Sequence, residues 1–221
     1  MTQKPVLHRD DPDAAPLTGN IKVTREDWLK QAMEVLIRDG VERVKVLTLA
    51  EGMEVSRSSF YWYFKSRKDL LDALLQQWEE TNTAAIVAQA EAPAETITAA
   101  VLNVFRCTTN SGMFNTALDF AVRDWARRSQ DVRARLEDSD TRRVAALAAM
   151  FARYGFEEHE AGIRAKVLYF QQIGYDLAGL NEGDEARLAQ VAGYLRVFTG
   201  AEPLPQELAE FEAYCRKYWG M

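Results

Sequence analysis

Apolar positions recur at three- and four-residue intervals along most of the chain, and no stretch sustains the alternation of a half-buried strand. Trp28, Leu29, Ala32, Val35 and Leu36 form the first stripe. Thr24 precedes it as an N-cap, with Asp27 three residues on in a capping-box pattern, and Gly40 stands where that helix stops. A short helix is predicted from about Val46 to Met53, a turn at Glu54-Val55, and a third helix capped by Ser56. Ser66 caps a fourth, with Leu70, Leu71, Leu74, Leu75 and Trp78 on its apolar side, and this helix is expected to reach about Ala90 and stop before Pro93. Further helices are expected near 94–109, 114–127, 130–154, 158–180, 184–199 and 205–218, separated by Gly112, Gly155, Asn181-Glu182-Gly183 and the run from Gly200 to Pro205.

The resulting expectation is an all-α protein: an N-terminal three-helix helix-turn-helix domain followed by a larger helical bundle. Residues 1–21 are polar, with Pro5, Pro12, Pro16 and clustered Asp10, Asp11 and Asp13, and read as a flexible arm. Residues 22–70 are assigned to the head and 71–221 to the bundle.

Composition narrows the classes. With 221 residues and 48% hydrophobic content the chain can bury a sizeable core. No apolar run reaches the ~18 to 20 residues of a membrane span, and the N-terminus lacks the apolar centre of a signal peptide. Two cysteines far apart, Cys107 and Cys215, and two histidines argue against a disulfide framework or a zinc site, so reduced thiols, a cytoplasmic location and no metal or cofactor are expected. The net charge of −6 disfavours non-specific wrapping of nucleic acid. Through Leu75, however, twelve cations balance twelve anions, so the whole deficit lies beyond that point.

Against that background Ser56 to Lys68 stands out. Five consecutive aromatics, Phe60 to Phe64, are flanked by hydroxyls and cations, with no acid in the run. Phe60 and Phe64 are four apart and share one helix face, which with Ala50 and Val55 makes a small core. Arg57, Ser58, Tyr61 and Trp62 then face outward, where hydroxyls and a guanidinium can bond phosphates or base edges. Lys65, Arg67 and Lys68 follow, opposite the adjacent phosphates. Basic residues at a helix start oppose its dipole, which favours an external anion.

On these residues the stretch from Thr24 to about Trp78 resembles the DNA-binding domain of the TetR family of bacterial transcriptional regulators. The family's alanine in helix two, Gly-Val-Ser turn, Tyr-x-x-Phe-type end to helix three, basic residue and Leu-Leu pair correspond to Ala50, Glu54-Val55-Ser56, Tyr61-Trp62-Tyr63-Phe64, Arg67 and Leu70-Leu71. Three positions depart from the pattern: Glu54 replaces the turn glycine, Ser58 stands at a small position inside helix three, and Lys45 lies near where a threonine often opens helix two. The combined DNA-contact set is Thr24, Lys45, Thr48, Ser56, Arg57, Ser58, Tyr61, Trp62, Tyr63, Lys65, Arg67 and Lys68. The resemblance implies a homodimer that offers two helices to the half-sites of a pseudo-palindromic operator in double-stranded DNA. It also implies repression relieved by a small-molecule effector that shifts helix four like a lever.

For the larger domain the pattern is less specific. Asp119 and Arg123 are four apart, an ordinary surface ion pair or, alternatively, a polar anchor in a ligand pocket. Phe105, Met113, Phe120, Arg123, Trp125, Phe170 and Tyr175, with Tyr169, are candidates to line such a pocket. Gly162, Ala165, Gly174 and Ala178 would let another helix approach closely, which by resemblance is a dimer interface and by pattern alone is equally internal packing. An enzyme is not expected, since no nucleophile motif, metal-ligand set or phosphate loop is present. A helical protein-interaction module without DNA binding remains the rival reading.

Overall fold

The computed structural model describes residues 23–180 and 182–220, so the expected arm at 1–21 lies outside the described residues. The described residues form α-helices α1 (Arg25–Asp39), α2 (Val46–Gly52), α3 (Arg57–Phe60), α4 (Arg67–Trp78), α5 (Ala84–Glu91), α6 (Ile97–Thr109), α7 (Thr116–Ala126), α8 (Gln130–Arg153), α9 (Glu158–Ala178), α10 (Asp184–Thr199) and α11 (Pro205–Trp219), with no strand among them. A 3₁₀ turn at Val41–Arg43 follows α1. The all-α expectation holds, and the later helices fall within three residues of the predicted limits.

The local reasons are visible at the helix ends. Thr24 Oγ1 accepts from the Asp27 amide at 3.2 Å while the Thr24 amide donates to Asp27 Oδ2 at 2.8 Å, closing the capping box of α1. Gly40 ends α1 at φ 79°, a backbone that a β-carbon would strain. The α2–α3 turn is a Schellman motif. The Val55 amide donates to the Ala50 carbonyl at 2.9 Å and the Glu54 amide to the Glu51 carbonyl at 3.1 Å. This closure forces residue 54 into the left-handed region, and Glu54 adopts φ 56°, the one non-glycine residue with positive φ among those described.

Two cores organise the chain. The first joins α1 to α4: Trp28, Ala32, Leu36, Leu49, Phe60, Phe64, Leu70 and Leu74 are sealed in it. It continues into Leu118, Val122, Trp125 and Ala126 of α7 and Val132 of α8, because α1 docks on α7. The second lies within α5 to α11, around Val101, Cys107, Leu147, Met150, Phe151, Leu168 and Phe198. The proposed division at residue 70 therefore falls inside α4, whose apolar face serves the head at one end and the body at the other.

The long fourth helix is present, with one change of phase. After Trp78 a π-helical turn, Glu79–Thr83, joins α4 to α5, which ends at Glu91. Single π turns sit frequently at functional sites. This one turns Asn82 and Thr83 inward, fully buried. Asn82 Nδ2 donates to the Asn115 carbonyl at 2.9 Å and the Asn115 amide returns a bond to Asn82 Oδ1 at 3.1 Å, clamping the turn to the start of α7.

Relief of the strain at residue 54 is measurable. Glu54→Gly is expected to raise stability by roughly 1 kcal/mol, read as a higher urea midpoint at unchanged slope; a lower midpoint would show that the glutamate side chain contributes more than its backbone costs.

Candidate functional site

The exposed face of the head is built by what it excludes. Helix α3 has one α-helical turn and tightens through Tyr61–Tyr63, yet the Phe64 amide still reaches the Phe60 carbonyl at 3.0 Å. Both phenylalanines are therefore aligned and buried, Phe60 against Trp28 at 5.2 Å between ring centroids and against Phe64 at 5.4 Å. The intervening pair is turned out, Tyr61 to 62% exposure and Trp62 to 71%. Arg57, Ser58, Lys65, Lys45, Thr48 and Ser56 are exposed as well. Ser56 caps α3 by accepting from the Ser58 amide at 3.3 Å, and its hydroxyl lies 2.8 Å from that of Ser58. Lys45, Arg57 and Lys65 make no ion pair among the described residues.

Two members of the expected contact set differ from their sequence reading. Arg67 is turned back into the protein: its Nε donates to the Val44 carbonyl and its Nη2 to the Val41 carbonyl, each at 2.6 Å. The Val44 carbonyl has no backbone donor and the Val41 carbonyl accepts only from the Val44 amide, so a charged donor at the start of α4 completes both. Tyr63 is half-buried, and its hydroxyl donates to the Val23 carbonyl at 2.9 Å. Both residues lock the head together. Lys68 is exposed and pairs with Asp72 at 2.7 Å, while the Thr24 hydroxyl bonds Asp27 Oδ2 at 2.8 Å within the cap.

In the larger domain, Asp119 and Arg123 do form the i, i+4 pair, at 2.9 Å, but the pair is not on the surface. Asp119 is buried at 4% exposure and is shared by three donors. Trp78 Nε1 of α4 and Arg143 Nη1 of α8 each donate to Oδ1 at 2.9 Å, and Arg123 Nε donates to Oδ2. Arg123 also grips Asp140 with two bonds, at 3.0 and 2.8 Å, and the Tyr169 hydroxyl donates to Asp140 Oδ1 at 2.6 Å. Arg143, with no exposed surface, adds a bond to the Tyr169 oxygen at 3.0 Å and one to Thr83 Oγ1 at 3.1 Å. Its guanidinium lies 5.0 Å from the Trp78 ring and 5.5 Å from the Phe114 ring. Burial by itself pushes the Asp119 carboxyl up; the charges of Arg143 and Arg123 and the Trp78 N–H outweigh it and hold the group below its ordinary 3.8. Burial also pushes the Tyr169 hydroxyl up, so it remains a donor.

This cluster forms one wall of a small, partly open cavity lined mostly by apolar side chains of α5 to α9. Phe105 and Phe120 line it as expected. Tyr175 belongs to a neighbouring cleft that shares Phe105, Thr108 and Gln172 with the first. Three expected residues lie elsewhere. Trp125 packs in the first core against the head. Phe170 is 52% exposed because its neighbour Tyr169, a third of a turn away, takes the inward position. Met113 sits on the second core, beside the Tyr214 hydroxyl at 3.3 Å. Arg123 reaches the site through Asp119. Arg143, which sequence reasoning missed, had a signal: Val132, Ser139, Arg143, Leu147 and Met150 fall on one face of α8, so the arginine interrupts a buried stripe. Cys107 and Cys215 are both buried free thiols, and burial pushes Cys107 up to about 12.

Comparison with known proteins gives this geometry a context. The profile of bacterial regulatory proteins of the tetR family matches residues 29–74. Over 55 residues the chain is 38% identical to the tetracycline repressor protein class C of Escherichia coli, covering 25% of this chain and 25% of that protein, so the match spans a quarter of the curated relative's length. Three solved structures share the fold: Salmonella enterica GusR (TM-score 0.55, 14% identity, 89% of this chain and 95% of that one), Mycobacterium smegmatis AmtR (0.55, 18%, 91% and 97%) and the ketosteroid transcriptional regulator KstR2 of Mycobacterium tuberculosis (0.54, 16%, 91% and 96%).

The buried carboxylate dictates an acid response. A folded-state value below 3.8 means that Asp119 contributes stability fully above the unfolded value and loses it as pH falls through the folded one. The thermal midpoint of the wild type is expected to fall more steeply below about pH 4 than that of Asp119→Asn; parallel acid limbs would show that this carboxylate carries no such linkage.

Proposed function

We propose that this chain, whose head is a DNA-binding domain of the TetR family, is a sequence-specific DNA-binding regulator, a repressor that a small molecule releases. The observation that carries the reading is the outward edge of α3. Phe60 and Phe64 hold the helix from inside, and Arg57, Ser58, Tyr61 and Trp62 stand clear in a segment with no acid between Ser56 and Lys68. A short helix presenting hydroxyls, a guanidinium and aromatic edges suits base edges and phosphates of one major groove. Lys45, Thr48 and Lys65 extend the face toward flanking phosphates. Arg67 and Tyr63 act one step back, by fixing the face to α1 and α4.

Two heads must engage one duplex, and α9 and α10 offer the surface to join them. Ile163, Val167, Phe170 and Leu177 recur at helical spacing on the outer face of α9, each about half exposed or more, and Val197 of α10 is 73% exposed. A β-carbon on Gly162 or Gly174 would meet nothing within 4 Å, so a second helix can approach there. Ala165, in contrast, is buried inside the subunit. An apolar stripe of this length on an acidic protein supports a homodimer built on these helices.

Release follows from the connection between cavity and head. Trp78 ends α4 and donates to Asp119, so any ligand that favours another arrangement of the Arg143–Asp119 pair also favours another position of α4. The ligand can shift DNA affinity only by its preference for one arrangement over the other.

Arg57→Ala and Tyr61→Ala are each expected to weaken operator binding by about 1 to 3 kcal/mol with fold and dimer intact, and wild-type affinity in both would remove this edge from the interface. Binding should also fall with salt at a log–log slope near −0.9 per phosphate neutralised; a salt-insensitive association would favour the protein-interaction reading. Val167→Glu is expected to yield a folded monomer in sedimentation, and a persistent dimer would place the interface elsewhere.

A further inference from the structure

Arg143 is more than a structural ion. Its Nε and Nη1 are engaged by Thr83, Asp119 and Tyr169, but its Nη2 is buried and meets no acceptor among the described residues. A buried charged donor without a partner destabilises a protein, and such groups persist where something else supplies the acceptor. Here the guanidinium forms part of the wall of the cavity, whose other walls are chiefly Val104, Phe114, Phe120, Leu147 and Leu168. The space is therefore mostly apolar, with the Arg143 guanidinium as its one cation beside a few neutral polar groups, Thr108, Thr116, Tyr169 and Gln172.

Charge decides what sort of acceptor fits. Within the cluster Arg123 and Arg143 are matched by Asp119 and Asp140. A further anion would find no surplus cation there. It would also face Asp176, which lines the same cavity and accepts from Gln172 Nε2 at 3.0 Å. Asp176 keeps an oxygen available for a donor on the ligand. Resting on the effector reading of the larger domain, we infer that the cavity binds a neutral, mostly apolar molecule carrying a carbonyl oxygen that accepts from Arg143 and a hydroxyl that donates to Asp176.

Calorimetry on the full chain tests this with three single-ring probes: para-hydroxyacetophenone, para-ethylphenol, which lacks the acceptor, and the anion para-hydroxybenzoate. The ketone is expected to bind, the ethylphenol at least about tenfold more weakly, and the carboxylate more weakly than the ketone. Arg143→Lys keeps the charge beside Asp119 and is expected to abolish the ketone's advantage over the ethylphenol. If that variant does not fold, Arg143→Met with Asp119→Asn keeps the cluster balanced and serves the same purpose. Equal affinity for ketone and ethylphenol, preference for the carboxylate, absent ketone binding, or an undiminished preference in the Arg143 variants overturns the assignment. Operator affinity is titrated separately. A chain that binds the ketone in this pattern but no duplex keeps the site and loses the regulator reading; one that binds duplex but not the ketone keeps the regulator and loses the site.

Discussion

The carboxylate of Asp119 is the point at which the molecule is tied together. It is buried, it stays ionised, and it receives donors from α4, α7 and α8 at once. A charge in that position is tolerable only because both oxygens are bonded and two guanidinium groups flank it; removing one partner of a buried pair costs about 3 to 5 kcal/mol, far more than such a pair adds over an apolar equivalent. Stability is therefore a poor reason for its presence. A charge-matched buried network has few arrangements, which is the property the proposed release by a ligand draws on. The π-helical turn beside it, which brings Thr83 to Arg143, places the change of helical phase where α4 meets the cluster.

The head joins this cluster through α4. Its outer edge is fixed by Phe60 and Phe64, but its attitude toward the body is fixed by residues that never face solvent fully. Arg67 ties α4 to the turn after α1, Tyr63 ties the end of α3 to Val23, and Trp28 to Trp78 share one core. Because that core runs on into α7, head and body are not two beads on a linker. The proposed release rests on this continuity, since α4 shares its core with the helix that bears the α3 edge.

Much of this was legible in the residues. The helix limits followed from apolar spacing punctuated by glycine, proline and hydroxyl caps, and the inward turn of Phe60 and Phe64 followed from a spacing of four. The turn at Glu54-Val55 was legible between a short helix and a capped one, while its Schellman bonds and the left-handed backbone of Glu54 are findings of the structure. Where reading failed, it failed on long polar side chains. Arg67 reads by position as an anion contact, and its recruitment by two carbonyls from residues 41 and 44 depends on a contact across more than twenty positions. Arg143 is flagged in the sequence only by its place on the apolar face of α8, and its burial depends on Asp119, Thr83 and Tyr169 converging from three other segments.

The sequence by itself determined the helices, their order, the buried and exposed edges of α3 and the acid-free face of the head, because these are set by local spacing and capping. Tertiary structure alone decided which arginines are buried, which aromatics line a cavity and how the cavity touches α4. The reason is physical: an apolar residue announces burial by its own chemistry, whereas an arginine is buried only where distant partners supply its counter-charge.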